Sequence, residues 1–292
     1  MWSVPLLDAR EPAFEPSEPA QMSDAAQSCP VPLTRDENNR GAIYYQVQDM
    51  FLSTVYLGRV GYADCLEIQR QVIDLRKRGK VSDTLLLVEH PPVITLGRNA
   101  HRENITASEQ FLSSRGVRMH EINRGGDVTY HGPGQLVGYP IVDLRGEFPG
   151  KTGPHLGVVD YVRMLEEVLI RTCGDFSILA QRIPGRTGVW TMGGGSIQPK
   201  KIAAIGVHVS QGVTSHGFAL NVTTDLRDFD WIVPCGISDA AVTSLECEVG
   251  SDDDAPPSMA DTMNSVVRHF ARIFGRQPIW VQSLEQLTSP VA

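Results

Sequence analysis

Residues 201–222 decide the fold, and they read Lys201-Ile-Ala-Ala-Ile-Gly-Val-His-Val-Ser210, Gln211-Gly212 and Val213-Thr-Ser-His-Gly-Phe-Ala-Leu-Asn-Val222. Two apolar runs on either side of a Gln-Gly pair predict two strands joined by a two-residue hairpin turn. Pairing outward from that turn places Gly206 opposite Gly217. Two facing glycines leave a patch of sheet without side chains, where a ligand chain can lie against the backbone. A bulge or a packed aromatic side chain is the alternative interpretation of this pair.

Hydrophobic periodicity predicts a mixture of helices and strands around this hairpin. The predicted helices cover residues 62–78 and 155–172, and a C-terminal helix carries Met263, Val266, Phe270 and Ile273 and stops at Gly275. The predicted strands cover residues 84–89, 93–96, 136–143 and 188–191. Pro140 has no backbone N–H, so its strand is expected at a sheet edge or at a bulge.

The bulk composition limits the function classes. Of the 292 residues, 41% are hydrophobic and 21% are charged, as in ordinary globular proteins, and the formal net charge is −8. This charge argues against a nucleic-acid binder, which needs a basic face. The five scattered cysteines have neither zinc-ligand spacing nor the pattern of a disulfide framework, so we expect reduced thiols. Without a membrane-spanning apolar run or a signal sequence, the protein is expected in the cytoplasm and off the membrane.

The chain is expected to contain one folded domain. Residues 1–45 are rich in Pro, Glu, Ser and Gln, which predicts a disordered N-terminal extension, part of which is untranslated if Met22 is the true start. The domain is expected over residues 46–280, with a C-terminal tail over 281–292. An acidic loop over residues 250–258 is predicted before the last helix.

The densest polar cluster is Arg124-Gly-Gly-Asp-Val-Thr-Tyr-His-Gly-Pro-Gly-Gln135, in a run that excludes a helix. Gly125 and Gly126 let the backbone approach a ligand and offer N–H groups. Arg124 and His131 are candidates to steer a carbonyl or an anion. The alternative is a turn-rich connection between strands, in which His131 hydrogen-bonds a loop carbonyl.

Pro234-Cys235-Gly236 places a thiol between a rigid and a permissive residue, at a turn that a substrate can reach. Most lone cysteines are buried and inert, so a nucleophile needs a neighbouring base or cation. An ammonium group near the sulfur favours the thiolate, which is the form that attacks carbonyls.

Four motifs together resemble the octanoyltransferase family, the lipoyl(octanoyl) transferases that make protein-bound lipoate. They are Arg124–Gln135 followed by Tyr139, Lys201–Gly206, His216–Asn221 and Ile232–Ile237. The resemblance implies an α/β (α+β) fold of the biotin/lipoate protein ligase type, with mixed sheets flanked by helices. It implies an acyltransferase that moves an octanoyl group from octanoyl-acyl carrier protein to a lysine of a lipoyl domain, with no metal and no cofactor. The implied acceptors are the lipoyl domains of 2-oxoacid dehydrogenases and the glycine cleavage H protein.

The resemblance also implies the site residues. Cys235 is the expected nucleophile, which holds the octanoyl group as a thioester, and Lys201 is its acid/base partner. In a strand Lys200 points to the opposite face, so only one of the two lysines is expected to reach the thiol. The expected acyl-chain contacts are Arg124, Gly125, Gly126, Asp127, Val128, Thr129, Tyr130, His131, Ala204, Ile205, Gly206, Gly217, Phe218 and Ala219.

Two alternative functions stay open at this point. An ATP-dependent lipoate or biotin ligase shares the fold but needs no nucleophilic cysteine. A non-catalytic binder of carrier proteins or lipoyl domains has no use for Cys235 together with Lys201. Because both expected protein partners are acidic, we also expect a local basic rim, formed by Arg98, Arg102, Arg124, Lys200 and Lys201.

Overall fold

The computed structural model describes residues 50–151, 153, 155–192, 198–233, 241–249 and 257–288 of the chain. Three predicted features lie outside these residues: the N-terminal extension, the turn that contains Cys235, and most of the acidic stretch over 250–258. The domain limits at 46 and 280 stay predictions.

Twelve strands and five α-helices occur in the described part of the chain. The strands are β1 (Phe51–Arg59), β2 (Asp83–Glu89), β3 (Val93–Leu96), β4 (Arg118–Glu121), β5 (Val128–His131), β6 (Gln135–Ile141), β7 (Ala180–Ile183), β8 (Arg186–Thr191), β9 (Lys200–Ser210), β10 (Val213–Asn221), β11 (Ala241–Val242) and β12 (Gln277–Trp280). The helices are α1 (Tyr62–Lys77), α2 (Glu109–Ser114), α3 (Val158–Asp175), α4 (Leu245–Val249) and α5 (Met259–Phe274). Short 3₁₀ helices cover Arg102–Asn104, Leu226–Trp231 and Leu284–Thr288.

Most of the described strands form one large mixed sheet in the order β12-β1-β2-β6-β10-β9-β8-β7. β1 runs parallel to both of its neighbours, and from β2 to β7 every neighbouring pair is antiparallel. β11 runs parallel to the first residues of β9, on the edge that β10 leaves free. A smaller sheet has the order β4-β3-β5. Mixed sheets with packed helices confirm the expected fold class.

The hairpin predicted over residues 201–222 is present as β9 and β10. The Cα register pairs Gly206 with Gly217, as predicted from the turn. Gln211 and Gly212 have φ angles of 54° and 82°, and two successive positive φ angles are those of a type I′ turn. The hairpin and its register are therefore confirmed.

Pro140 lies in an inner strand whose pairing to both neighbours has no register shift, so the structure has neither the expected sheet edge nor the expected bulge there. β6 pairs with β2 on one side and with β10 on the other. The proline is accommodated because the ladder to β10 covers only residues 135–138 of β6. Beyond it, the Thr214 hydroxyl donates to the Pro140 carbonyl (2.7 Å) and accepts from the Val142 N–H (2.9 Å). A side chain thus replaces the interrupted backbone ladder.

The helices pack on the large sheet. α1 contacts β6 and β10, α3 contacts β7, β8 and β9, and α5 contacts α3 and β12. α3 begins and ends three residues later than the predicted helix over 155–172. α5 begins after Ser258, whose hydroxyl accepts from the Asp261 N–H, and it ends at the predicted Gly275 in the left-handed conformation. No helix within the described residues has the length and apolarity to cross a membrane.

Candidate functional site

A cavity of about 50 Å³ lies between the β9–β10 hairpin and strand β5 of the smaller sheet, and it is called the acyl cavity after the acyl-chain contacts that the sequence predicts there. Tyr62 of α1 and Val137 of β6 complete its wall. β5 contributes Thr129 and His131, because alternate side chains of a strand point to the same face. Eleven of the fourteen expected acyl-chain residues line this cavity: Arg124, Gly126, Asp127, Thr129, His131, Ala204, Ile205, Gly206, Gly217, Phe218 and Ala219.

The other three expected residues do not line the acyl cavity. Val128 and Tyr130 are buried in the apolar cluster of the smaller sheet, on the opposite face of β5. The Tyr130 hydroxyl donates to Asp228 there. Gly125 donates its N–H to the Val207 carbonyl (2.9 Å), which ties its loop to β9. These residues support the cavity wall from behind.

Gly206 and Gly217 allow close approach of neighbouring backbone. A Cβ atom on Gly206 would lie 2.8 Å from the Gly125 carbonyl oxygen, and one on Gly217 would lie 2.1 Å from the Gly138 carbonyl oxygen. The Phe218 ring packs over Gly138 in turn. The expected empty patch of sheet is therefore occupied at its Cβ positions, although both glycines still line the acyl cavity. The alternative interpretation expected a packed aromatic side chain, and that side chain is Phe218, the residue after Gly217.

Arg124 fixes a positive charge in the cavity wall. Its guanidinium donates to the Thr95 hydroxyl (2.9 Å), the Thr95 carbonyl (2.8 Å) and the Gly125 carbonyl (3.0 Å). Gly97 passes so close that a Cβ there would lie 2.7 Å from Arg124 Nη1. Because these partners are part of the fold, the guanidinium is held in place without a ligand.

The expectation of a basic rim is wrong for two of its five cations. Arg124 and Lys201 are buried, each with 7% of its surface exposed. Lys200 and Arg102 are more accessible, but each forms an ion pair with a glutamate, at 3.3 and 2.6 Å. Arg98 is exposed, as expected. A residue's charge type is readable from the sequence, whereas its burial depends on the elements that pack over it.

The two histidines of the acyl cavity are neutral rings. Burial lowers the pKa of His131 to about 3 and that of His216 to about 4, and the Arg124 charge acts in the same direction. His131 Nδ1 donates to Gln135 Oε1 (2.7 Å), since the Gln135 amide nitrogen donates to Asn221 Oδ1 (2.9 Å). A neutral His131 does not attract an anion by charge, and because its one ring hydrogen is donated to Gln135, its Nε2 is an acceptor that does not donate to a carbonyl.

Lys201 lies at the start of β9, between Trp190 of β8 and Val242 of β11. Its Nζ is 5.1 Å from the centre of the Trp190 ring, a cation–π distance. Gly188 leaves room for the lysine, because a Cβ there would lie 2.8 Å from Lys201 Cε. Lys200 is more exposed and pairs with a glutamate of α4, which places the two lysines on opposite faces as predicted.

A second, smaller cavity connects Lys201 to the acyl cavity by shared walls. Its remaining lining includes Gln135, Asn221 and Val242. The residues that line both cavities are Thr129, Ala204 and Ala219. The backbone beside Lys201 is held by β11, where the Thr243 N–H donates to the Lys201 carbonyl (3.0 Å). The cavity beside Lys201 has a volume of about 10 Å³ and adjoins the acyl cavity at these shared wall residues, and we call the two together the cavity path.

Cys235, the predicted nucleophile, lies outside the described residues, but the described chain on either side is anchored. The Val233 N–H donates to the Asn104 carbonyl (2.7 Å), and Ala241 pairs with Lys200. The separation between Cys235 and Lys201 stays a prediction.

Four residues of the acyl cavity are not among those expected from the sequence: Tyr62, Val137, Tyr139 and His216. Tyr139 and His216 belong to the four motifs, and this membership could have identified them as cavity residues. Tyr62 opens helix α1, where nothing local distinguishes it from a core aromatic residue. Only the packing of α1 against β6 and β10 brings it to the site.

Of the three described thiols, two are unsuited to be nucleophiles, and the third, Cys247, is exposed. Cys65 and Cys173 are buried, and burial raises the pKa of both thiols, that of Cys173 to about 12. A thiol that stays protonated at neutral pH is a poor nucleophile. Within the described residues, no cluster of His, Cys, Asp or Glu has the arrangement of a metal site.

The chain is similar to proteins of one family. The family described as Lipoyl protein ligase A/B catalytic domain matches residues 61–271. The Octanoyltransferase of Acidobacterium capsulatum is 60% identical over 243 residues, which cover 83% of this chain and 98% of that protein. The Octanoyltransferase of Koribacter versatilis is 53% identical over 237 residues, which cover 81% and 89%. A bi-partite lipoate protein ligase from Thermoplasma acidophilum, studied with its E2 lipoyl domain, matches with a TM-score of 0.60 at 15% identity over 82% of this chain and 91% of that one, which supports the fold alone.

Proposed function

The chain belongs to the Lipoyl protein ligase A/B catalytic domain family, among its octanoyltransferases, and from that premise we propose that Cys235 carries an octanoyl group from acyl carrier protein to a lipoyl-domain lysine. The observation that carries this proposal is that the buried Lys201 lines one end of the cavity path. A buried amine next to an apolar cavity suits a group that moves protons during acyl transfer.

The first step loads the enzyme. The Lys201 amine takes the proton of the Cys235 thiol, and the thiolate attacks the carbonyl carbon of the octanoyl thioester. The bond from that carbon to the phosphopantetheine sulfur breaks, and the Lys201 ammonium protonates the leaving sulfur. The Trp190 ring stabilises the ammonium form between these two transfers.

The second step transfers the octanoyl group to the acceptor. The target lysine amine attacks the Cys235 thioester, and an amide bond forms as the Cys235 sulfur leaves. Lys201 accepts the proton from the attacking nitrogen and returns it to the sulfur. An amide is more stable than a thioester, so this sequence needs no ATP. Backbone N–H groups of the glycine-rich segments are the candidate donors for the oxyanion of each tetrahedral intermediate.

The acyl chain is proposed to lie along β9, from Lys201 towards Gly206. These residues are about 16 Å apart, at roughly 3.3 Å per residue of strand. Between them, Ala204, Ala219 and Phe218 offer an apolar wall. A neutral His131 is compatible with that surface, whereas an imidazolium would need solvent or an anion.

The proposed donor is octanoyl-acyl carrier protein, and the proposed acceptors are the lipoyl domains of 2-oxoacid dehydrogenases and the glycine cleavage H protein. The reaction is proposed for the cytoplasm. A lipoyl-domain acceptor is consistent with the fold, since the Thermoplasma acidophilum ligase is described with its E2 lipoyl domain.

Intact-protein mass spectrometry after mixing with octanoyl-acyl carrier protein tests the proposal. We expect one octanoyl adduct, assigned to Cys235 by peptide mapping, that disappears when lipoyl domain is added. Cys235→Ala is expected to abolish both the adduct and the transfer. Cys247→Ala is the matched control, because Cys247 is an exposed thiol. Transfer at an unchanged rate by the Cys235→Ala protein would contradict the proposal.

The main alternative is an ATP-dependent lipoate or biotin ligase, because the chain shares its fold with a lipoate protein ligase. Such an enzyme uses the free acid and ATP. We expect no transfer from free octanoate with ATP and rapid transfer from the carrier-protein thioester. ATP-dependent transfer retained in a Cys235→Ser protein would decide for the ligase. A non-catalytic binder is excluded by any adduct that turns over.

A further inference from the structure

A third cavity, of about 340 Å³, lies at the turn end of the β9–β10 hairpin. It is bounded by α1, by the segment that follows β4, and by the last residues before and after the turn. Its lining combines four apolar residues, Leu66, Ile73, Ile122 and Val213, with eight polar or charged ones. It is larger than the acyl cavity, and no step of the proposed reaction uses it.

His216 separates this third cavity from the acyl cavity. Among the described residues, it is the one wall residue that the two cavities share. The small cavity beside Lys201, the acyl cavity and the third cavity therefore adjoin in that order along the hairpin, and His216 lies where the last two meet. His216 is buried, with 2% of its surface exposed.

Backbone contacts and one ring hydrogen bond hold His216 in this position. Its backbone has a φ of 55°, the left-handed region that favours glycine, and its N–H donates to Gln69 Oε1 of α1 (3.1 Å). Ring atom Nε2 donates to Asn123 Oδ1 (2.7 Å). Within the described residues, Nδ1 is buried without a hydrogen-bond partner. A strained residue held by side chains of two other segments is a feature of functional sites.

We propose that His216 forms the end wall of the acyl cavity and thereby limits the length of the acyl chain that the enzyme accepts. This inference rests on the proposed acyl transfer and adds its specificity-determining residue. Without the ring, a longer chain extends past Gly217 into the third cavity, where Ile73 and Ile122 receive the additional methylenes.

A competition between octanoyl and dodecanoyl carrier proteins tests this role, with the acyl adducts counted by intact mass. Wild-type protein is expected to load octanoyl almost exclusively. His216→Gly removes the ring and suits the positive φ, so the variant is expected to fold. Dodecanoyl has four methylenes more than octanoyl. Burial of one methylene changes the ratio by about 4-fold, so if two of the four become buried beside Ile73 and Ile122, the dodecanoyl to octanoyl ratio rises on the order of 15-fold.

His208→Gly is the matched control, because His208 lines the third cavity and not the acyl cavity. It is expected to leave the ratio unchanged. Asn123→Ala is a second test that keeps the ring but removes its hydrogen bond, and we expect a smaller rise of about 3-fold. An unchanged ratio in folded His216→Gly protein, or an equal rise in His208→Gly, would overturn the proposal.

Calorimetric binding of free octanoate and dodecanoate separates this proposal from the proposed transfer chemistry. The His216→Gly protein is expected to gain dodecanoate affinity relative to wild type, with octanoate affinity little changed. Binding does not depend on a thioester at Cys235. A missing adduct in wild-type protein therefore counts against the transfer mechanism, while unchanged dodecanoate binding counts against the end wall.

Discussion

The two ends of the cavity path along β9 and β10 are closed by different chemical groups. At the β11 end, the buried Lys201 lines the path and has its amine 5.1 Å from the centre of the Trp190 ring. At the turn end, His216 presents a ring that burial keeps neutral and that Asn123 holds by a hydrogen bond. An amine that exchanges protons suits the chemistry, and a fixed neutral ring suits the selection of an apolar chain. Under the proposed function, the reaction takes place at one end of the hairpin and the length of the acyl chain is selected at the other.

Replacement of Lys201 gives the largest expected effect and tests whether the two ends act separately. Lys201→Ala is expected to lower kcat by about 10²–10⁴-fold, because the general acid/base is lost. The loss is expected to be equal for octanoyl and dodecanoyl donors. Lys200→Ala is the matched control, since that side chain is partly exposed and pairs with Glu248, and we expect less than about a 2-fold change. A changed chain-length preference in the Lys201→Ala protein would contradict the separate action of the two ends.

Alanine at the glycine pair tests the middle of the path. Gly217→Ala is expected to destabilise the fold by about 3 kcal/mol, because its Cβ would overlap the Gly138 carbonyl. Gly206→Ala is expected to cost about 1 kcal/mol, since its nearest contact, at 2.8 Å, is longer. Urea unfolding of both variants measures this order. Equal losses would show that the backbone around Gly217 relaxes.

The neutral histidines give the fold a pH dependence in mildly acidic solution. Burial lowers the pKa of His90 and His216 to about 4 and that of His131 to about 3. The unfolded chain therefore binds protons before the folded one, so the free energy of unfolding falls as the pH decreases from about 6.5 towards 4. The expected slope is about 1.4 kcal/mol per pH unit for each histidine.

Urea unfolding between pH 7 and pH 4 measures this slope. His90→Gln is expected to remove about 1.4 kcal/mol per pH unit of it, because one buried proton acceptor is lost. The same replacement at the exposed His101 is the matched control. If both variants keep the wild-type slope, carboxylates and not the buried histidines cause the acid sensitivity.

Local patterns in the sequence predicted the hairpin correctly, but they did not predict the position of the neighbouring strand β6 in the sheet. Alternating strands and a two-residue turn determine which residues pair, so the Gly206–Gly217 register followed from counting. Pro140 was misplaced because the rule for edge strands ignores the Thr214 side chain, which restores the hydrogen bonds in an inner strand. That side chain comes from β10, far along the chain from the proline.

The site was predictable where motif residues themselves face the cavity. Thr129 and His131 line it, but their neighbours Val128 and Tyr130 face the other side of β5. A contiguous sequence motif contains residues of both faces, because successive side chains of a strand point to opposite sides of the sheet. Tyr62 lies in none of the four motifs, so the sequence did not indicate its place in the site.

The sequence by itself determined the family, the hairpin register and most residues of the acyl cavity, because these depend on local patterns and on residue identity. Only the tertiary structure decided that Arg124 and Lys201 are buried, that His131 and His216 are neutral, and that three cavities follow one another along one hairpin. Burial and cavity order arise when distant segments pack together. The electrostatic state of a side chain depends on that packing and not on its neighbours in sequence.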